Sequence, residues 1–203
     1  MTILSCRRTE KSKATMNEAM DVYLFSDLTD SVKVEKSLAL TNKALELDDH
    51  NLAAFNHKVT LLFYKKDVEA LLKISDHLIQ LMPKKPFYLG QKALYLELKG
   101  DTVHANEFYN KSISMYQDYI KTDSLDFNLM MEYVGILETA DDTTLANEIL
   151  GKMENMNFDE SQKQMIEFAK RQPFQKQKLK KYLAGEIEYS QIEAVKNYPQ
   201  ECV

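Results

Sequence analysis

One spacing recurs along this chain. Ala44, Leu78 and Ser112 stand 34 residues apart, and so do Ser37, Leu71 and Ala105. The same step leads from Phe55 to Leu89, Lys58 to Lys92, Val59 to Ala93, Leu62 to Leu96 and Asp67 to Asp101. Inside each unit apolar residues fall at helical spacing: Phe55, Val59, Leu62 and Phe63, then Ala70, Leu71, Ile74, Leu78 and Leu81. A unit of two amphipathic helices cannot bury both of its faces alone. Copies must therefore stack and share a core, each touching mainly its neighbours. Five glycines and four prolines in 203 residues leave too few turns for a β-sandwich or barrel. The fold class predicted is all-α.

A 34-residue pair of helices resembles the tetratricopeptide repeat, and named positions carry the resemblance. The segment from Pro86 to Gln117 has Leu89 at the family's large-residue position, Ala93 at its small one and Leu96 for its usual tyrosine. Gly100-Asp101 stands at the turn, and Ala105, Tyr109 and Ser112 follow at the small, aromatic and small positions of the second helix. The copy from Leu52 to Lys85 keeps Phe55, Val59 and the terminal Pro83, with Lys66-Asp67 at its turn. A first copy, Glu18 to Asn51, resembles the family at its end, A-L-E-L-D-D-H-N. A fourth follows a longer step of 41, with Ala105-Asn106-Glu107 recurring as Ala146-Asn147-Glu148. The seven extra residues fall near Tyr116 to Asp126 and read as an extended helix with a longer loop.

The resemblance implies a right-handed α-solenoid of about four helix pairs over 15–157, closed by a C-terminal helical cap over 158–203. Helices are expected at 161–171, 174–184 and 191–197. Thr15 with Glu18 fits a capping box opening the first helix, and Ser190 with Glu193 fits one opening the last.

Charge and cysteine usage narrow the function classes. A net charge of −5 lacks the basic field on which non-specific nucleic-acid binding relies. The stretch Lys170 to Lys181, with six positive charges and no negative one, reads as a solvated helix face. Cys6 and Cys202 lie at opposite ends, so neither a CxxC metal site nor a redox pair is formed in sequence. Ile3-Leu4-Ser5-Cys6 resembles the lipobox of bacterial lipoproteins, truncated on its N-terminal side, and 1–14 reads as a polar tether. That resemblance implies a lipid on Cys6, membrane attachment and a bacterial cell-envelope location; without the lipid, the cytoplasm is expected.

Catalytic signals are missing from the sequence. It has no GxSxG, P-loop or GxGxxG, and no cofactor motif. Of the four histidines, His50, His57, His77 and His104, none sits in HExxH, and no clustered carboxylate is expected beside them at ligand spacing. His57 and His77 read as surface or interface histidines rather than a metal pair. Asp48-Asp49 and Asp141-Asp142 read as capping and turn residues. Asn110-Lys111-Ser112 matches the glycosylation triplet, but Ser112 belongs to the repeat core.

In the family the first helix of each pair lines a concave groove. The register places Asn56, Thr60, Phe63 and Tyr64 there in the second copy and Phe87, Gly90, Leu94, Glu97 and Leu98 in the third. The fourth contributes Asn128, Met131 and Gly135. Asn beside Phe, Tyr and Leu suits an extended or helical peptide held by hydrogen bonds and apolar pockets. Phe63, Leu94 and Leu98 fit a core equally well. The family's carboxylate clamp of Lys, Asn and Arg is not reproduced, since Phe87 and Gln91 occupy later clamp positions. The function expected is a non-enzymatic adaptor that binds a protein or peptide. The other reading is an assembly subunit that packs through its convex face or its basic C-terminal cap.

Overall fold

The computed structural model describes residues 3–122 and 126–191. Among these residues the chain is all-α, with ten α-helices, one short 3-10 turn at Tyr189–Gln191 and no strand. It divides into two compact units, Met1–Leu81 and Met82–Val203.

The first unit holds α1 (Ile3–Phe25), α2 (Asp30–Leu47), α3 (Leu52–Tyr64) and α4 (Val68–Leu81). Arg8 donates to Glu46 O, Ser12 Oγ to Ala44 O and Ser37 Oγ to Ala19 O, so α1 and α2 run antiparallel as a pair. Met16, Ala19, Ala44 and Ala54 form the core where α1, α2 and α3 meet. Three alanines there let the helix backbones approach closely.

Residues 3–14, expected as a polar tether, are instead the first turns of α1. Thr15, expected to cap that helix, lies inside it and donates to Lys11 O at 2.9 Å. The reason is physical: Ser12 and Thr15 are polar but small, and buried hydrogen bonds satisfy both against helix carbonyls. Ser190 lies in the 3-10 turn, while Glu193 and the helix expected at 191–197 lie outside the described residues.

The second unit holds α5 (Pro86–Leu98), α6 (Thr102–Thr122), α7 (Phe127–Thr139), α8 (Thr143–Glu154), α9 (Glu160–Arg171) and α10 (Lys176–Leu183). Pro86 opens α5 at its first turn, where a missing N–H costs nothing. Asp159 and Gln162 make the capping box of α9. α6 has 21 residues where α4 has 14, which absorbs the seven-residue lengthening of the repeat. Tyr116, Met130, Tyr133, Leu137, Leu150, Met153 and Ile166 are fully buried and form one core from α6 to α9. Ala93, Ala105 and Tyr109 form a second cluster between α5 and α6. Ser112 is also buried there and donates to Pro86 O at 2.7 Å, which removes it from any modification triplet.

Within each unit, successive first helices also approach one another, α1 to α3 and α5 to α7. The turns inside the pairs repeat in detail. Lys66, Gly100 and Asp141 carry left-handed φ of 59°, 84° and 64° in the α3–α4, α5–α6 and α7–α8 turns. The next amide, from Asp67, Asp101 or Asp142, reaches back to Leu62 O, Leu96 O or Leu137 O at 3.0, 3.0 and 2.9 Å. Each of these aspartates then caps the following helix, accepting from Ala70 N, His104 N and Leu145 N. Two residues thus end one helix and begin the next. Their positions keep the steps of 34 and 41.

Candidate functional site

The groove positions named from the sequence fall into distinct environments. In the first unit, Asn56 and Thr60 are exposed on α3, and Thr60 Oγ1 donates to Asn56 O at 3.3 Å. Phe63 and Tyr64 are half-buried one turn further on. In the second unit, Asn128 is exposed on the first turn of α7. Leu98 is half-buried, as are Phe87 and Met131, which pack against the α6–α9 core. Leu94 is only 8% exposed and belongs to the interior of the fold, so it offers a ligand no surface. Gly90 is buried because α7 comes close, with Ile136 seated against it.

Glu97 has the most partners of these positions. Its carboxylate accepts from Lys176 Nζ at 2.8 Å, Lys180 Nζ at 2.5 Å and Tyr109 Oη at 3.2 Å. Lys176 also reaches Asp141 Oδ2 at 2.7 Å and lies 5.5 Å from the centre of the Tyr109 ring. Burial alone would raise the Glu97 pKa, but hydrogen bonds and charge from Lys176 and Lys180 outweigh it and hold the carboxyl below its ordinary range. Burial, then the Glu97 charge, pushes the Tyr109 phenol well above its usual value. Tyr109 therefore serves as a neutral donor. On α7, Glu138 Oε2 accepts from Phe174 N at 3.1 Å, and burial raises this carboxyl.

This cluster corrects the reading of Lys170 to Lys181 as a solvated face. Lys176 is 5% exposed and fully paired, and Lys180 is paired with Glu97. Lys170 binds Glu154 and Arg171 binds Glu167, both at the surface. Nothing local in sequence announces the Lys180–Glu97 pair, whose members stand 83 residues apart.

The histidines divide likewise. His57 is buried at the interface of α3 with α1 and α2: Nε2 lies 2.7 Å from Ser37 Oγ, and the ring meets Tyr23 edge-on. His77 lies against the Phe55 ring, and His104 Nδ1 pairs with Asp101. A clustered pair of carboxylates does accompany one histidine, contrary to expectation. Asp48, Asp49 and His50 bring three ligand atoms within 4.8 Å of one another. Their bonds are those of a turn: Asp48 Oδ1 accepts from His50 N, and Asp49 accepts from His50 Nδ1 at 2.6 Å. The bond from His50 holds the exposed Asp49 carboxyl below its usual range.

Cys6 lies in α1, two residues before Arg8, which binds Glu46 O. Among the described residues no helix is long and apolar enough to cross a membrane. No family model matches the chain, and no curated protein matches it.

Proposed function

We propose that the chain is a non-enzymatic repeat protein of tetratricopeptide type, a right-handed solenoid of helix pairs that binds a protein segment along its first helices. The observation that carries the reading is the turn repeated at Lys66, Gly100 and Asp141, with the same backbone handedness, back-bond and aspartate cap. A chain that repeats its joints at these steps repeats its helix pairs, and in each unit the first helices carry side chains at equivalent positions. Asn56, Thr60 and Asn128 supply exposed polar contacts, and Phe63, Tyr64 and Leu98 supply half-buried apolar ones. That combination suits a peptide that brings both backbone polar groups and apolar anchors. A lipid on Cys6 would anchor such an adaptor to a bacterial envelope.

The assembly-subunit reading draws on the surface lysines of the cap, Lys170 and Lys181. Affinity capture with the chain as bait separates the two. Asn56→Asp with Asn128→Asp is expected to lose the partner, and Lys170→Glu with Lys181→Glu to retain it. The reverse pattern assigns binding to the cap and rejects the groove.

A further inference from the structure

Glu97 and Glu138 stand 41 residues apart, at the same position of two successive copies, and one stretch of chain engages both. Phe174 N donates to Glu138, and two residues on Lys176 reaches Glu97 and Asp141, followed by Lys180 to Glu97. The segment therefore bridges adjacent first helices, α7 and α5, and Glu97 is one of the positions that the register assigns to the groove. α10 meets this face in the manner of a helix in a groove. Lys176, Leu179 and Leu183 are buried and Lys180 half-buried, at spacings i, i+3, i+7 and i+4, with Tyr182 also buried. The face offers three carboxylates, Glu97, Glu138 and Asp141, and the helix brings lysines and leucines.

α10 depends on this face for its helicity. It has eight residues, below the ~12–15 that an isolated helix needs in water, and Pro173 and Gly185 bracket it. Side chains attach it, through the ion pairs of Lys176 and Lys180 and the buried Leu179, Tyr182 and Leu183. We propose that this face of the second unit is a docking site for a basic amphipathic helix of a partner protein, of Lys-x-x-Leu-Lys-x-x-Leu character. α10 is its built-in occupant, and the partner helix displaces it. The inference rests on the groove reading. Tethering gives α10 an effective concentration of roughly millimolar order, so a partner binds only in proportion to the fraction of chains whose site is open.

The probe is a labelled synthetic peptide of residues 173–185, titrated into the full chain by fluorescence anisotropy. The chain carrying K176Q and K180Q is expected to bind it at least ~10-fold more tightly than the unmodified chain, because the internal competitor is weakened. Adding E97Q and E138Q to that background is expected to cost ~10-fold or more. Equal binding by all three chains, or none, overturns the proposal and leaves capture through Asn56 and Asn128 standing. Should the lysine variant lose its helicity, hydrogen exchange on the unmodified chain decides instead. Amides of α10 are expected to exchange at least ~10-fold faster than those of α7, and faster again with excess peptide. Protection of α10 equal to that of α7 overturns the proposal.

Discussion

Ile136 of α7 occupies the space beside Gly90 of α5: a Cβ built on Gly90 would lie 2.3 Å from Ile136 Cδ1. Rotating Cδ1 away does not clear the contact, because Cγ1 and Cγ2 of the same β-branched side chain stand at 3.1 and 3.3 Å. Two first helices approach through this glycine. Gly90→Ala gains about 1 kcal/mol of helix propensity. The overpacking of about 1–3 kcal/mol outweighs that gain. Urea unfolding is expected to show a net loss of about 1 kcal/mol, recovered in part by adding Ile136→Val. A more stable Gly90→Ala protein would show that α5 and α7 are not this close.

The turns give a second expectation. Lys66 and Asp141 adopt the left-handed conformation that Gly100 adopts without a Cβ. An L-residue in that region costs roughly 1–2 kcal/mol, offset by the smaller unfolded-state entropy of a non-glycine residue. Lys66→Gly is expected to stabilise by about 0.5 kcal/mol and Gly100→Ala to destabilise by about 1 kcal/mol. Denaturation midpoints of the two variants test this, and shifts of the same sign would sink it.

His57 supplies a pH dependence. Ser37 Oγ spends its one proton on Ala19 O, so His57 Nε2 must carry the proton shared with Ser37, tying α1, α2 and α3 together. Burial lowers the His57 pKa below its ordinary 6.5. The unfolded chain therefore takes up a proton before the folded one does. The contribution of His57 to stability is full above pH 6.5 and falls as the pH drops from there towards the folded value. Unfolding free energies measured across this window are expected to decline on acidification, and His57→Gln to flatten the decline. An unchanged slope in His57→Gln would assign it to other groups. Ser37→Ala, which leaves the buried His57 N–H without its acceptor, is expected to cost about 1–3 kcal/mol in the same measurement.

The helix pairs and their joints were legible in the sequence because their signals are local. Asp67, Asp101 and Asp142 are each a stop and a start within two residues, and the length of α6 follows from one shift in spacing. The beginning of α1 was not legible, since Ser12 and Thr15 look solvent-facing until helix carbonyls are placed beside them. Along α5, Leu94 and Leu98 share a face by periodicity, yet one is interior and the other half-exposed. Only the position of the neighbouring chain decides between them. The pairing of Lys176 and Lys180 with Glu97 joins distant parts of the chain and leaves no local trace. The carboxylates at Asp48 and Asp49 beside His50 were in plain view and became a cluster only through the bend of the α2–α3 turn.

The central claim, that the first helices form the binding surface, is tested most directly by site-specific photo-crosslinking in cells. A photo-reactive residue at Asn56 or Asn128, exposed on α3 and α7, is compared with one at Asn110 or Glu148, exposed on α6 and α8. Crosslinks to one and the same protein from both first-helix positions, and none from the second-helix positions, are the expected result. Crosslinks to that protein from Asn110 or Glu148 alone would contradict it.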